Sequence, residues 1–488
     1  MSTDGENPTR WYQRSAVTQQ PQDPPPEPRA GQTGDAAGTP GSHPAKWGPT
    51  GGGASTLYYP GALSALADTI DGSVLGELNA GLAELHWSIR RGDALRGGGE
   101  VTLVLSAAEG EPDAWQALQR LHALRGTPAL SPAATAAVDG LALRRLYFVG
   151  MPDSINSMPA RDWHAGTARE AITVVTPPPT RSHPDHVPGG RRPVVAVIDS
   201  GIGHHPWLAG AQDDAFWIDA GTLGWTGAPP GPAPDRTDDN AGPPGGVLEK
   251  HAGHGTFIAG LVRQIAPDAR VLSMHAMSSD GTLDEEVALN ALGWLRDRVR
   301  AASGSGDHAA FVDVVNVSFG YYEVLPADTR YTQDLAQILG ELGSLGVQVV
   351  ASAGNDSTGR PVFPAAFADP AYGTKPAVPL ISVGALNPDG SHADYSNYDP
   401  SWPQHWAPGT AVTSTMPQFG APPGPVTAPY DPENLVGGFA LWSGTSFAAG
   451  ITSARAARAL SDDATGDELR DVSREAACQR ALRAAATL

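Results

Sequence analysis

Four residues of this 488-residue chain have types and surroundings suited to covalent chemistry. Asp199 ends the apolar run Val194-Val195-Ala196-Val197-Ile198 and precedes Ser200-Gly201-Ile202-Gly203. That places a carboxylate beyond the carboxyl end of a strand, where open parallel sheets gather their reactive groups. Alone, such an Asp could equally bind a metal, bond a turn or cap a helix. His254 has Gly253 and Gly255 on either side and opens a helical pattern, so little bulk surrounds its imidazole. Ser446 lies in Ser443-Gly444-Thr445-Ser446-Phe447-Ala448-Ala449-Gly450, ahead of an Ala-rich helical run. In the first turn of a helix its own N–H is unpaired and the dipole favours developing negative charge, as acyl transfer requires. An ordinary N-cap serine looks the same in sequence. Asn355 follows Val349-Val350-Ala351 through Ser352-Ala353-Gly354, which presents an amide able to donate to an oxyanion. Asn after Gly is also a common turn.

His251 and His254 have a spacing that suggests two metal ligands on one helical face, but Gly253 intervenes and no third ligand accompanies them. The sequence therefore favours chemistry without a metal, with His251 at the surface or supporting the site. No set of calcium ligands stands out, since Asp389 and its neighbours read as a turn. Cys478 is the sole cysteine, which excludes an internal disulfide and a multi-Cys zinc site. The formal net charge of −20 argues against nucleic acid or an anionic membrane surface as partner. The N-terminus has no apolar signal-type core and no window approaches a spanning helix. A cytoplasmic location is expected, with signal-less export as the alternative.

The elements that must position these residues begin at about residue 191. Strand-like runs at 194–198, 271–274, 312–317, 347–351 and 380–383 alternate with helical patterns at 254–265, 283–300 and 331–345. This order predicts an α/β fold with a doubly wound, mainly parallel sheet over 191–460. Residues 207–249 are rich in Pro, Gly and Asp and read as a surface loop. Upstream, 1–54 has too few aliphatic residues to offset its ordering entropy and reads as a disordered tail, with polyproline character at Pro24-Pro25-Pro26. Residues 55–175 read as a small α+β domain. It has a helical pattern over 63–90, a strand at 101–105, a helix at 113–124 and a strand at 141–149. Residues 176–190 read as a linker, and 461–488 as a C-terminal helix packed on the main domain.

Taken together, Asp199-Ser200-Gly201-Ile202-Gly203, His251-Ala252-Gly253-His254-Gly255-Thr256, Ser318-Phe319-Gly320, Ala353-Gly354-Asn355-Asp356 and Ser443-Gly444-Thr445-Ser446 occur in one order. The stretch Asp394-Tyr395-Ser396-Asn397-Tyr398 and then Ala407-Pro408-Gly409 lies before the last of them. This resembles the subtilisin-like serine peptidases over about 190–460, including their Asp, His, Ser order. The resemblance implies a serine endopeptidase acting on peptide or protein substrates. Asp199 would orient His254, His254 would take the Ser446 proton, and Asn355 with the Ser446 N–H would bind the oxyanion. It further implies that Ser318, Phe319 and Gly320 pair with extended substrate backbone, and that Ala353 and Gly354 wall the pocket before the cleaved bond. No cofactor is implied for the chemistry.

The chain departs from the family pattern at Gly450, where a Pro is common, and at Phe447, where a Met is frequent. Gly450 is expected to loosen the helix under Ser446 by about 1 kcal/mol relative to Ala. The proline-rich loop 422–432 and the 207–249 insertion are further departures. Three functions compete. The first is an endopeptidase whose 55–175 domain is prodomain-like and docks near the cleft, the linker being the natural cleavage site. The second is a dedicated processing enzyme, or an acyl-transferring maturase, for one partner peptide, in which 55–175 recognises the substrate. The third is a silent binding module, against which the four intact residues weigh.

Overall fold

The computed structural model describes residues 46–49, 55–94, 99–148, 170–209, 214–228, 251–278, 280–323, 328–399, 401–403, 405–417, 435 and 437–488. The N-terminal region orders as β1 (Lys46–Pro49), β2 (Ser55–Leu66), α1 (Gly72–Leu82), β3 (Trp87–Ala94) and β4 (Glu100–Ala107). It continues with α2 (Ala114–Ala123), α3 (Pro132–Asp139) and β5 (Ala142–Phe148). Its helices start where a side chain can take an orphan amide: Asp71 accepts from Val74 N, Asp113 from Gln116 N and Ser131 from Ala134 N. An apolar core that includes Leu63, Leu78, Leu103, Leu118 and Val138 lies between helices and sheet.

Two expectations change here. The helical pattern over 63–90 resolves into the end of β2, α1 and the start of β3, because a strand's buried alternate residues share leucines with the helix that follows. The tail expected to be disordered through residue 54 contains β1, which pairs antiparallel with β2 and is anchored where Lys46 meets Asp113 at 3.3 Å. The polyproline segment at 24–26 lies outside the described residues, as does the 422–432 loop.

The second body begins with β6 (Glu170–Ala171), β7 (Val194–Asp199), β8 (Trp217–Asp219), α4 (His254–Ile265) and β9 (Arg270–His275). Then come β10 (Thr282–Asp284), α5 (Glu285–Ser305), β11 (Val314–Val317), α6 (Asp328–Ser344), β12 (Gln348–Ser352) and β13 (Ile381–Leu386). The chain closes with β14 (His405–Pro408), β15 (Val412–Thr415), β16 (Phe439–Trp442), α7 (Thr445–Asp462) and α8 (Arg474–Ala485). Seven parallel strands run in the order β14-β13-β12-β11-β7-β9-β8. The change of direction between β7, β9 and β11 makes this a doubly wound sheet. β8 is drawn from the stretch read as loop: Trp217–Asp219 pairs with β9, so its three residues extend the sheet edge.

Residues 176–190 are laid against this body. Arg181 donates to the carbonyls of Pro267 and Asp214 at 2.8 and 3.0 Å, and Ser182 binds the Asp268 carboxylate. Next to them Arg191 makes a buried two-pronged bond with Asp313 at 2.7 and 2.8 Å. These contacts give the segment a fixed course across the sheet's base. α8 packs on α7 and α6.

The two bodies share a sheet. β5 is flanked by β2 on one side and by β10 of the second body on the other, all antiparallel. Charged side chains line the seam, half-buried at Arg144, Asp284 and Glu286 and buried at Arg145, Glu285 and Glu100. Arg144 bonds Asp284 and Glu286, Arg145 bonds Glu285, and Glu100 lies 3% exposed close by. The Glu100 carboxyl is pushed up to about 9, first by burial, then by the Glu285 charge and its bond to Asp334. A carboxyl raised on folding supports the folded state while protonated. Its contribution is complete below its ordinary 4.5 and is lost as pH rises through about 9. Glu100→Gln is therefore expected to raise the melting temperature at pH 8 by roughly 2–5 °C and to flatten its decline above neutrality. Thermal melts across pH check this, and an unchanged pH slope would assign that decline to another group.

Candidate functional site

The carboxyl ends of β7 and β12 and the amino ends of α4 and α7 meet at one place. Asp199 is the last residue of β7, His254 the first of α4, Asn355 follows β12, and Ser446 is the second residue of α7. All four are nearly enclosed, at 0–2% exposure. His254 Nδ1 lies 2.8 and 2.9 Å from the two Asp199 oxygens, so the ring donates there and presents Nε2 as its basic nitrogen. Asp199 Oδ1 also accepts from Ser200 N at 2.8 Å and Ser200 Oγ at 3.2 Å, which fixes the carboxylate. Ser200 Oγ in turn accepts from Gly255 N at 2.9 Å and ties the β7 end to the start of α4.

The glycines around His254 have separate reasons. A Cβ on Gly255 would stand 2.2 Å from the Gly201 carbonyl oxygen and 3.2 Å from Asp199 Oδ1, so only glycine lets the His and Asp segments approach. Gly253 has φ +86°, the left-handed region, where the chain turns into α4. Trp442 and Phe447 pack on the His254 ring with centroids 5.6 and 5.2 Å away. Phe447 thus fills the site's wall as an aromatic. Gly450 sits where α7 crosses α4, and a Cβ there would come within 3.3 Å of Ile258 and 3.4 Å of Leu261. Its lack of a side chain permits that close crossing of α7 and α4.

Ser446 Oγ makes its contact with the Ser318 carbonyl at 3.4 Å, and His254 Nε2 has no hydrogen-bond partner among the described residues. Bonds between catalytic groups often tighten only with substrate present. Asn355 is held by its oxygen, which accepts from Thr445 N at 2.9 Å and Thr445 Oγ1 at 2.8 Å. That assignment points the Asn355 NH2 away from Thr445, the orientation an oxyanion donor needs. Thr445 Oγ1 also accepts from Gly354 N at 3.1 Å, so one hydroxyl joins the Asn355 turn to the nucleophile helix. Sequence reasoning missed Thr445 and Ser200. Each lies beside a candidate residue, and a short hydroxyl there was the available signal.

A cavity of about 10 Å³, room for one water-sized sphere, adjoins Asn355 and Thr445. Phe319, Gly320, Ser352, Gly354 and Val362 line it, together with Phe148 from the first body. Ala353 is not among the residues lining this cavity; its N–H bonds the Val383 carbonyl at 2.9 Å and it is fully buried. His251 is also not at the surface. It is 3% exposed, its Nδ1 lies 3.0 Å from the Asp280 carbonyl, and its ring stands 6.0 Å from that of His254. Asp389 accepts from Ser391 N and Oγ, the bonds of a tight turn.

Replacing Asn355 by alanine is expected to lower kcat by about 10²–10³-fold with little change in KM, the scale for one oxyanion donor in a subtilisin. Steady-state kinetics on a peptide substrate check this. A change in KM alone would remove Asn355 from that role.

Comparison with known proteins places the geometry in context. The profile of the subtilase family matches residues 190–486. The chain is 27% identical over 236 residues to the minor extracellular protease Epr of Bacillus subtilis (strain 168), covering 46% of this chain and 28% of that protein. It is 27% identical over 232 residues to Subtilisin Savinase of Lederbergia lenta, covering 46% of this chain and 66% of that protein. The chain thus spans less than two thirds of the length of these curated relatives. Among solved structures, a lanthipeptide protease matches with TM-score 0.40 and 21% identity over 59% of this chain and 78% of that one. A cold adapted subtilisin-like serine proteinase matches with TM-score 0.37 and 18% identity over 64% of this chain and 88% of that one.

Proposed function

This chain belongs to the subtilase family, and on that premise we propose that it is a serine endopeptidase working through a Ser446 acyl-enzyme. The observation that carries the reading is the buried His254–Asp199 pair, set beside a nucleophile on a helix N-terminus and an amide anchored by its oxygen. His254 Nε2 takes the Ser446 proton as Oγ attacks the peptide carbonyl. The Asn355 NH2 and the Ser446 N–H receive the oxyanion, and the imidazolium then protonates the leaving amine. Asp199 stabilises that imidazolium. Water repeats the sequence to release the acid. Fluorophosphonate labelling of the purified protein, with the modified residue located by mass spectrometry, tests this. Label on any residue other than Ser446 would refute it.

The proposed chemistry needs no metal, since base, orienting carboxylate and oxyanion donors are all side-chain or backbone groups. Hydrolysis is therefore expected to persist in EDTA at low temperature. Immediate loss, reversed by zinc, would revive a metal role for His251 and His254.

The first body is read as an occupant of the substrate groove, as a prodomain would be. Phe148 and Gly320 exchange both backbone hydrogen bonds at 2.9 Å, and Gly320 belongs to the segment expected to pair with substrate. This is strand addition by the chain's own β5. The reading as a dedicated processing or acyl-transferring enzyme uses the same four residues and differs only in the peptide and the amine they serve.

A further inference from the structure

β5 enters the groove as an extended peptide would, held by β10 on one edge and by Gly320 on the other. The pairing of Phe148 with Gly320 is antiparallel. A peptide continuing that register places the residue two beyond Phe148 opposite Ser318, whose carbonyl oxygen touches Ser446 Oγ. The residue opposite Ser318 is thus the last before the cleaved bond. Counting back, the position of Phe148 is the third before the bond, that of Tyr147 the fourth and that of Arg145 the sixth.

Arg145 and Tyr147 are two apart and so share one face of β5. Both reach groups of the second body. The Arg145 guanidinium bonds Glu285 at 2.5 Å and lies 4.4 Å from the centre of the Tyr321 ring. Tyr147 stacks on two rings of the second body, 4.6 Å from Tyr321 and 5.7 Å from Phe319, and its hydroxyl donates to Glu285. Arg145, Tyr321 and Glu285 are each no more than 3% exposed. Glu285 opens α5 directly after β10, and Tyr321 directly follows Gly320. The guanidinium is therefore gripped by the same two segments that pair with the backbone in the groove.

We infer that Glu285 and Tyr321 form a guanidinium-binding subsite of the peptidase groove, filled here by the chain's own Arg145, and that the peptides it cuts carry arginine at the sixth residue before the cleaved bond. The physical reason is the cost of leaving the site empty. When β5 withdraws, a largely buried carboxylate loses its cation and an aromatic face loses its cover. A planar guanidinium restores both contacts at once, whereas an apolar side chain restores neither. Strand addition supplies affinity through the backbone, and pockets for alternate side chains supply the choice of sequence.

This inference rests on the peptidase reading, and the test separates the two. The unmodified full chain is labelled at Ser446 with a fluorophosphonate in the presence of competing peptides. These carry Arg-Leu-Tyr-Phe followed by two mixed positions, and a matched set has norleucine for arginine. The arginine set should slow labelling at roughly tenfold lower concentration, the scale of one charge-assisted hydrogen bond to a buried carboxylate. In a second arm, full chain carrying Arg145→Ala should cleave arginine peptides at least about tenfold faster than norleucine peptides, and Glu285→Gln added to it should erase the difference. If Arg145→Ala does not fold, the competition arm stands alone. Normal labelling with equal potency of the two sets overturns the subsite and leaves the peptidase reading intact. Failure of Ser446 to label overturns both.

Discussion

Ser446→Ala is expected to abolish fluorophosphonate labelling and to lower kcat by roughly a millionfold, with the fold unchanged. The structure gives both halves of that result. Among the described residues the Ser446 hydroxyl makes one hydrogen bond, 3.4 Å to the Ser318 carbonyl, so its removal strands no strongly bonded partner there. Alanine is the better helix former in the first turn of α7, and Ser446 is already flanked by Phe447 and Ala448 in a packed wall. The melting temperature should therefore stay within about 1 °C of the parent, a shift corresponding to no more than about 1 kcal/mol for a chain of this size. The loss in rate is large because the variant removes the nucleophile itself while the base and the oxyanion donors stay. Residual turnover should not vanish. Asn355 and the backbone N–H at position 446 survive, and such donors with binding alone retain roughly 10³–10⁴-fold over water. Parental turnover in the variant would require another nucleophile, and the assignment would fall.

The site was legible in the sequence because its residues are forced into short, low-bulk motifs by the geometry they serve. Gly255 is a case where the reason became visible only in three dimensions: the Gly201 carbonyl occupies the place of its missing Cβ. The parallel sheet was legible for a related reason. Strands buried on both faces, such as Val194–Asp199, must be continuously apolar. Trp217–Asp219 escaped notice because a three-residue edge strand inside a Pro/Gly-rich insertion has no periodicity to show. The seam between the two bodies escaped for another reason. Arg144 and Arg145 in sequence look like a solvated basic pair, and Glu285 looks like an ordinary helix-start acid. Only the pairing of β5 with β10, 134 positions apart between Phe148 and Thr282, makes Arg145 and Glu285 a buried ion pair. Local pattern carries no information about such a contact.

Asp199→Asn is expected to lower kcat by roughly ten-thousandfold while leaving KM and the fold close to the parent. The change is isosteric, so the argument turns on which way the new amide faces. Oδ1 accepts from the Ser200 backbone N–H at 2.8 Å and from Ser200 Oγ at 3.2 Å. The backbone donor cannot reverse its role, which keeps the asparagine oxygen at the Oδ1 position. The NH2 group then takes the place of Oδ2, 2.9 Å from His254 Nδ1. The amide oxygen stays 2.8 Å from Nδ1, but the NH2 at 2.9 Å opposes the Nδ1 proton in a site where both side chains are about 1% exposed, which favours the tautomer whose Nδ1 accepts from that NH2. The imidazole responds by moving its proton to Nε2 and accepting at Nδ1. In that tautomer Nε2 has no lone pair for the Ser446 proton, and the general base is lost although every heavy atom is in place. The imidazolium that forms in the parent enzyme also loses its buried counter-charge. Steady-state kinetics should show the fall in kcat, with fluorophosphonate labelling of Ser446 slowed in parallel. Nitrogen NMR on labelled His254 should show the proton on Nε2 where the parent has it on Nδ1. An Asp199→Asn variant within tenfold of parental kcat, or one whose ring keeps its Nδ1 proton, would remove Asp199 from the orienting role and leave Ser200 as the group to test next.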